Sequence, residues 1–407
     1  MYMRVRKPLL VAVAAVAATG LLAGCGSSSD SSASGRDSAT SPIKILSMAP
    51  FQSSVLSLGD AEASTKAAVA ALNAAGGLNG HPLEVVYCND KMDPNTAAGC
   101  ARQAVSEKVV AVTSAYEPNS PSVLPVLQAA HIPFVYSSVA ADIDGTSNVS
   151  FPRDAGVPAQ YASLGVELVK KGCTKVGAIV LTLPATETGA KWLKTAVMAS
   201  GAQWAGEVEA PQDQADYSAP VQTLLSKGMD CLVPVEAPDS GAKVIIAARQ
   251  ASSTLQIGAD SSLLSDAAIK TLGSASDGII LTGQEYRTGD TGVPAVATVL
   301  AGVKKYQPSA PALSKFALTA WADVTALQQV LKGVDGSYTA ASVATSAAAT
   351  QVETGLLAPI SWGSSTETPY AGYPRVHNWS YLAWEVKGGK PALLYPDFQQ
   401  MPAAVLK

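Results

Sequence analysis

Ligands of open α/β sheets sit beyond the carboxyl ends of the strands, where free backbone amides and the positive ends of helices converge. In this 407-residue chain, several residues suited to hold a small molecule follow strand-like segments. They are Phe51 and Gln52, then Ser114, Tyr116 and Glu117, then Ser137 and Ser138. A second set follows later strands: Thr188 in the stretch 186–188, then Glu236 and Asp260. Hydroxyls, an amide, carboxylates and rings in such loops suit reversible binding. Catalysis has less to work with. The sequence contains no Gly-x-Ser-x-Gly elbow, no His-Glu-x-x-His helix and no phosphate loop, and His81, His131 and His377 stand alone. The expectation is a protein that is not an enzyme and needs no cofactor or metal.

The elements that must position these loops alternate. Residues 43–48, 83–88, 109–114 and 133–138 read as strands, separated by helix-like segments at 60–75, from Pro94 onward and at 120–130. Asp93-Pro94 looks like an N-cap followed by a first-turn proline. The rhythm restarts with a helix at 156–171 and strands at 175–181, 204–210, 231–236, 255–260 and 278–282. Apolar strands alternating with helices argue for two α/β domains, each a doubly wound parallel sheet covered on both faces. Neither half has a Gly-x-Gly-x-x-Gly after its first strand, so a dinucleotide site is unsupported.

Hydrophobic residues make up 48% and charged ones 15%, with a net charge of −4 and no long basic run, so nucleic acid is not an expected partner. Arg4, Arg6 and Lys7 precede an apolar stretch at 9–23, too short to span a bilayer comfortably. Leu22-Ala23-Gly24-Cys25 then looks like a bacterial lipobox, which implies a signal peptide at 1–24 and lipid on Cys25. Taking those three from the 28 basic residues leaves 25 against 32 acidic ones, a charge of −7 for the mature chain. The Ser- and Gly-rich residues up to 42 form a tether, with a reach of roughly 20–24 Å.

Four cysteines remain, and in an exported chain they suggest two disulfides, with three pairings open. If the second sheet has the strand order 2-1-3, Cys173 and Cys231 lie at the same end of neighbouring parallel strands. Cys88 ends a strand, and Cys100 lies on the helix that the strand feeds. Cys88–Cys100 and Cys173–Cys231 are therefore the favoured pairs, with four buried free thiols as the competing reading.

Leu72-Asn73-Ala74-Ala75-Gly76-Gly77-Leu78-Asn79-Gly80 resembles a turn of branched-chain amino-acid-type ABC transporter solute-binding proteins. The resemblance continues through residues 83–87, Asp93-Pro94-Asn95, Ile132-Pro133-Phe134, Phe151-Pro152-Arg153-Asp154 and Asp216-Tyr217-Ser218. It implies a type I periplasmic-binding-protein fold, with two lobes joined by three crossovers near Asp154, Glu285 and Arg375. Lobe 1 would comprise 43–154 and 286–375, and lobe 2 would comprise 155–285 and a closing segment at 376–407. Together with the lipobox it implies a lipoprotein on the outer face of the cell membrane, and with no obvious oligomerisation signal a monomer is the default expectation. Such a protein would hand a small polar molecule to an ABC permease and its ATPase, or signal to a membrane sensor instead. By the same resemblance, Tyr116-Glu117 fall where relatives use a serine for a ligand carboxylate, and Ala140 where they use a threonine. Asp260 falls at an ammonium-binding acid and Trp321 at an aromatic near the cleft. A glutamate at 117 would repel a carboxylate, and Glu187, Glu236 and Glu285 add to the acidic count near the expected cleft, which favours a ligand with a cationic or hydroxyl-rich part.

Overall fold

The computed structural model describes residues 41–211, 214–363 and 368–407. The lipobox, Cys25 and most of the tether lie outside the described residues. Among those described, no helix is long and apolar enough to cross a membrane.

Two sheets organise the chain. The first contains β1 (Ile43–Ala49), β2 (Leu83–Asn89), β3 (Val112–Thr113), β4 (Phe134–Val135) and β5 (Ser150–Phe151), all parallel in the order β2-β1-β3-β4-β5. The second begins with β6 (Lys175–Leu181), β7 (Gln203–Ala210), β8 (Cys231–Val235), β9 (Gln256–Asp260) and β10 (Ile280–Gly283). These repeat the doubly wound order as β7-β6-β8-β9-β10, all parallel. A small ribbon pairs β11 (Gln351–Val352) with β12 (Ile360–Ser361). Beyond β10 the second sheet is extended antiparallel by β13 (Ser380–Lys387), which pairs in turn with β14 (Lys390–Leu393) and β15 (Gln399–Gln400).

The chain passes from the first sheet to the second between Phe151 and Lys175. After Gly283, helices Pro294–Tyr306 and Lys315–Lys332 pack on helix Gly59–Ala74 of the first half. The chain reaches the second sheet again at Ser380. The cores follow the layers. Ile43, Ile45 and Leu83 pack with Leu318, Leu327 and Trp362 on one face of the first sheet, and Leu46 and Met48 pack with Leu124 and Leu127 on the other.

Local chemistry explains the elements. Asp93 caps helix Pro94–Ser106, its carboxylate accepting from the Thr96 amide at 2.7 Å. At Gly77, φ is +72° and a Cβ would lie 2.3 Å from the His81 carbonyl, so the turn at 76–80 requires glycine there. The strand expected at 133–138 is only Phe134–Val135. Tyr136 takes φ 61°, outside the strand region, while its ring packs edge-on against Trp362. Beyond that residue only an isolated parallel bridge, Ser138 with Asp154, continues the pairing. Both disulfides are Cys88–Cys100 and Cys173–Cys231. Cys231 pairs in register with Val176 on β6, just after Cys173, as the 2-1-3 strand order requires. A grouping of Cys173, Asp230 and Cys231 has metal-like spacing, but both sulfurs are in the disulfide. The carboxylate of Asp230 also already accepts from Thr174 and Lys175.

Candidate functional site

The loops after the strands of both sheets enclose a cavity of about 630 Å³. Leu56, Tyr116 and Ser138 reach it from behind β1, β3 and β4. Leu183, Glu236 and Ser262 reach it from behind β6, β8 and β9, and Gln284 and Glu285 follow β10. Helix Lys315–Lys332 contributes its first turn. Asp60 accepts from both the amide and the hydroxyl of Ser314 at 2.7 Å, and Ser314 in turn caps the helix at Phe316. This brace aims Lys315 and Phe316 into the cavity.

Two buried cations lie in the wall. Arg153 is 3% exposed and donates to the carbonyls of Ser114, Tyr136 and Ala115 at 3.2, 2.7 and 2.8 Å. It pairs with Asp323 at 3.2 Å and Asp154 at 3.3 Å. Burial pushes the Asp323 carboxyl up to about 7, opposed by the guanidinium. Lys315 sits 3.1 Å from Glu285 and 4.0 Å from Asp260. Burial alone would depress its ammonium, but the two carboxylates outweigh that and hold it above its ordinary value. A lysine in the first turn of a helix opposes the helix dipole, and here those acids compensate it.

The carboxylates are less well satisfied. Glu236 is 7% exposed, and its Oε2 accepts from Ser240 at 2.8 Å while Oε1 has no partner. Burial raises this carboxyl to about 7. Asp260 Oδ1 accepts from the amide of Ser262 at 2.8 Å, and Oδ2 has no hydrogen bond. The Tyr116 hydroxyl is raised to about 12 by burial and remains a neutral donor.

The residues singled out from sequence divide. Tyr116, Ser138 and Glu236 line the cavity, and Asp260 stands behind Lys315. The Ser138 hydroxyl is committed to Asp154 at 2.6 Å. Ser114 and Ser137 are buried behind the wall, where their carbonyls accept from Arg153. Thr188 is half-buried and does not line the cavity; Thr186, two residues earlier, does.

Four expectations need correction. Phe51 is buried in a cluster with Leu58 and Ala61, and it meets the Tyr87 ring edge-on. Gln52 is exposed, with its backbone held by the Asn89 side chain. Glu117 neither faces the cavity nor reaches solvent. It is 3% exposed, accepts from the Asn119 amide at 2.8 Å and confronts Asp90. Burial first, and Asp90 second, push its carboxyl well above the usual range. Trp321 belongs to the core between helices, lying so close to Gly302 that a methyl there would meet its ring at 2.2 Å. Phe316, one and a half turns earlier and on another side of the helix, is the aromatic residue of the cavity. Its ring centroid is 5.7 Å from that of Tyr116.

Sequence reading missed Lys315, Phe316, Gln160, Tyr161, Gln284 and the apolar residues Leu183 and Ile246. The signal that could have found Lys315 was a basic residue immediately after a serine N-cap.

No curated relative matches the sequence. Solved structures match over nearly the whole fold. An extracellular ligand-binding receptor from Verminephrobacter eiseniae ef01-2 superposes with a TM-score of 0.72 at 16% identity, covering 86% of this chain and 100% of that one. A leucine binding protein from Thermotoga maritima MSB8 gives 0.70 at 16%, covering 87% and 98%. A fatty acid ABC transporter substrate-binding protein from Thermomonospora curvata gives 0.74 at 14%, covering 89% and 94%. At these identities the likeness establishes the fold, the type I periplasmic-binding-protein architecture of two doubly wound sheets. The family described as periplasmic binding protein matches residues 42–376, and this chain therefore belongs to that family of extracytoplasmic solute-binding proteins.

Proposed function

We propose that the chain is a lipid-anchored binding protein that captures a small molecule between two lobes and delivers it to an ABC permease and its ATPase. The lobes would be residues 43–154 with 286–375, and 155–285 with 376–407, and Cys25 would carry the anchor. The observation that carries the proposal is the cavity itself, which takes its wall from the strand ends of both sheets. A solute touching both walls would favour the closed arrangement through its differential affinity.

The ligand class is narrowed by charge. The carboxylates of Glu236, Asp260 and Glu285 outnumber the ammonium of Lys315, and Arg153 is already committed to Asp154 and Asp323. This supports a molecule with a cationic or hydroxyl-bearing part, carried by these acids without Glu117. A thermal-shift screen of the purified protein with amino acids, amides, polyols and amines tests the proposal. A ligand at about 1,000 times its Kd should add roughly 4 kcal/mol of stability. A complete absence of saturable stabilisation across such a panel would contradict it.

A further inference from the structure

The exposed apolar residues of this protein are unevenly distributed. Of the six large hydrophobic side chains that stand exposed among the described residues, Val55, Leu183 and Ile246 all line this one cavity. They are 39%, 38% and 44% exposed, with Val55 contributed by the first half of the chain and the other two by the second. Exposed apolar residues that gather at a cleft from both sides mark a surface meant to be covered. Leu272, half-buried, also lines the cavity. A volume of about 630 Å³ lies within the range of pockets that enclose drug-sized ligands.

At the polar end, both cations of the described lining residues are already paired. Arg153 holds two carboxylates and three carbonyls. Lys315 holds Glu285 and lies near Asp260. A ligand carboxylate placed here would meet further carboxylates and find no unspent cation. A donor placed here would find one buried acceptor atom of the wall without a partner, Glu236 Oε1. Unpaired buried acceptors are costly, and a charged donor is the partner that relieves them most.

We infer that the ligand is an amphiphilic amine, its ammonium held by Glu236 and its alkyl or aryl body lying along Leu183 and Ile246 towards Val55. The inference rests on the solute-binding function proposed above and specifies its ligand. Amino acids with small side chains fit poorly, because they leave the apolar rim uncovered.

The test is calorimetric titration of the purified protein with n-butylamine, n-hexylamine and n-octylamine, and with octanoate and 1-octanol as matched controls. Affinity is expected to rise about fourfold for each methylene that becomes buried. Octylamine should bind at least tenfold more tightly than octanoate. Glu236→Gln should weaken octylamine at least tenfold, and Leu183→Ser with Ile246→Ser should flatten the dependence on chain length. Octanoate binding as tightly as octylamine, or affinity independent of chain length, would overturn the inference. If a carboxylate-bearing amino acid or a polyol saturates the protein and no amine does, the inference fails while the solute-binding function stands. If octylamine binds but ignores both sets of substitutions, the assignment of the site fails with it.

Discussion

Arg153 and Lys315 are both buried cations in the same cavity wall, and they differ in what their partners have left to give. Arg153 is committed within the protein: three carbonyls and two carboxylates share one guanidinium. The planar fork suits that role, because it joins the ends of β3 and β4 to the start of the first crossover. Lys315 divides itself between Glu285 and Asp260, and Glu236 Oε1, elsewhere on the same cavity wall, has no partner. The first cluster is a structural tie, and the cavity wall around the second is where we propose that the ligand binds.

Four substitutions or conditions break or sharpen this comparison. Arg153→Ala should have the largest effect, about 3–5 kcal/mol of lost stability by chemical denaturation. It strands Asp154, Asp323 and three carbonyls in the interior. Trp321→Ala and Phe316→Ala come next, as a pair on one helix. The tryptophan change should cost about 2–3 kcal/mol, because it opens a space beside Gly302, and should leave ligand affinity within twofold. Phe316→Ala should cost less stability and more affinity, read by denaturation and titration together.

Glu236→Gln should raise stability at pH 8 by about 1–2 kcal/mol, less than its full shift implies because water reaches the cavity. The sign follows from a folded-state carboxyl raised to about 7 from 4.5. Its stabilising contribution is full below the unfolded value and is lost as pH rises through the folded one. The same holds for Asp144, pushed up to about 7 by burial against three hydrogen bonds, and for Asp90, raised to about 6. The unmodified protein should therefore melt at a lower temperature at pH 8 than at pH 5. The smallest effect is the difference between the two proteins. Glu236→Gln should show a shallower decline in melting temperature between those pH values, measured by calorimetry.

Much of this architecture was legible because it depends on local signals. The alternation of apolar runs and capped helices gave both doubly wound sheets, and the 2-1-3 strand order put Cys173 beside Cys231. The strand-end rule located the loops that line the cavity, including Tyr116, Ser138 and Glu236. It could not say which side chain of a loop turns inward. Tyr116 faces the cavity and Glu117 is buried beside Asp90, because consecutive residues in an extended loop point to opposite sides. The Trp321 misplacement has a similar origin. Helix Lys315–Lys332 exposes its first turn to the cavity and buries the following turns, and only the packing of helix Pro294–Tyr306 reveals where that change occurs. Lys315 was overlooked because its acidic partners are supplied from β9 and from the connection after β10, far away in sequence.

The central claim, two lobes that close on a solute, is tested most directly by small-angle X-ray scattering of the purified protein with and without a saturating ligand identified by thermal shift. The account predicts a smaller radius of gyration when ligand is bound, and loss of that compaction when Glu236→Gln is titrated at the same ligand concentration. Identical scattering curves for the free and fully saturated protein would contradict it.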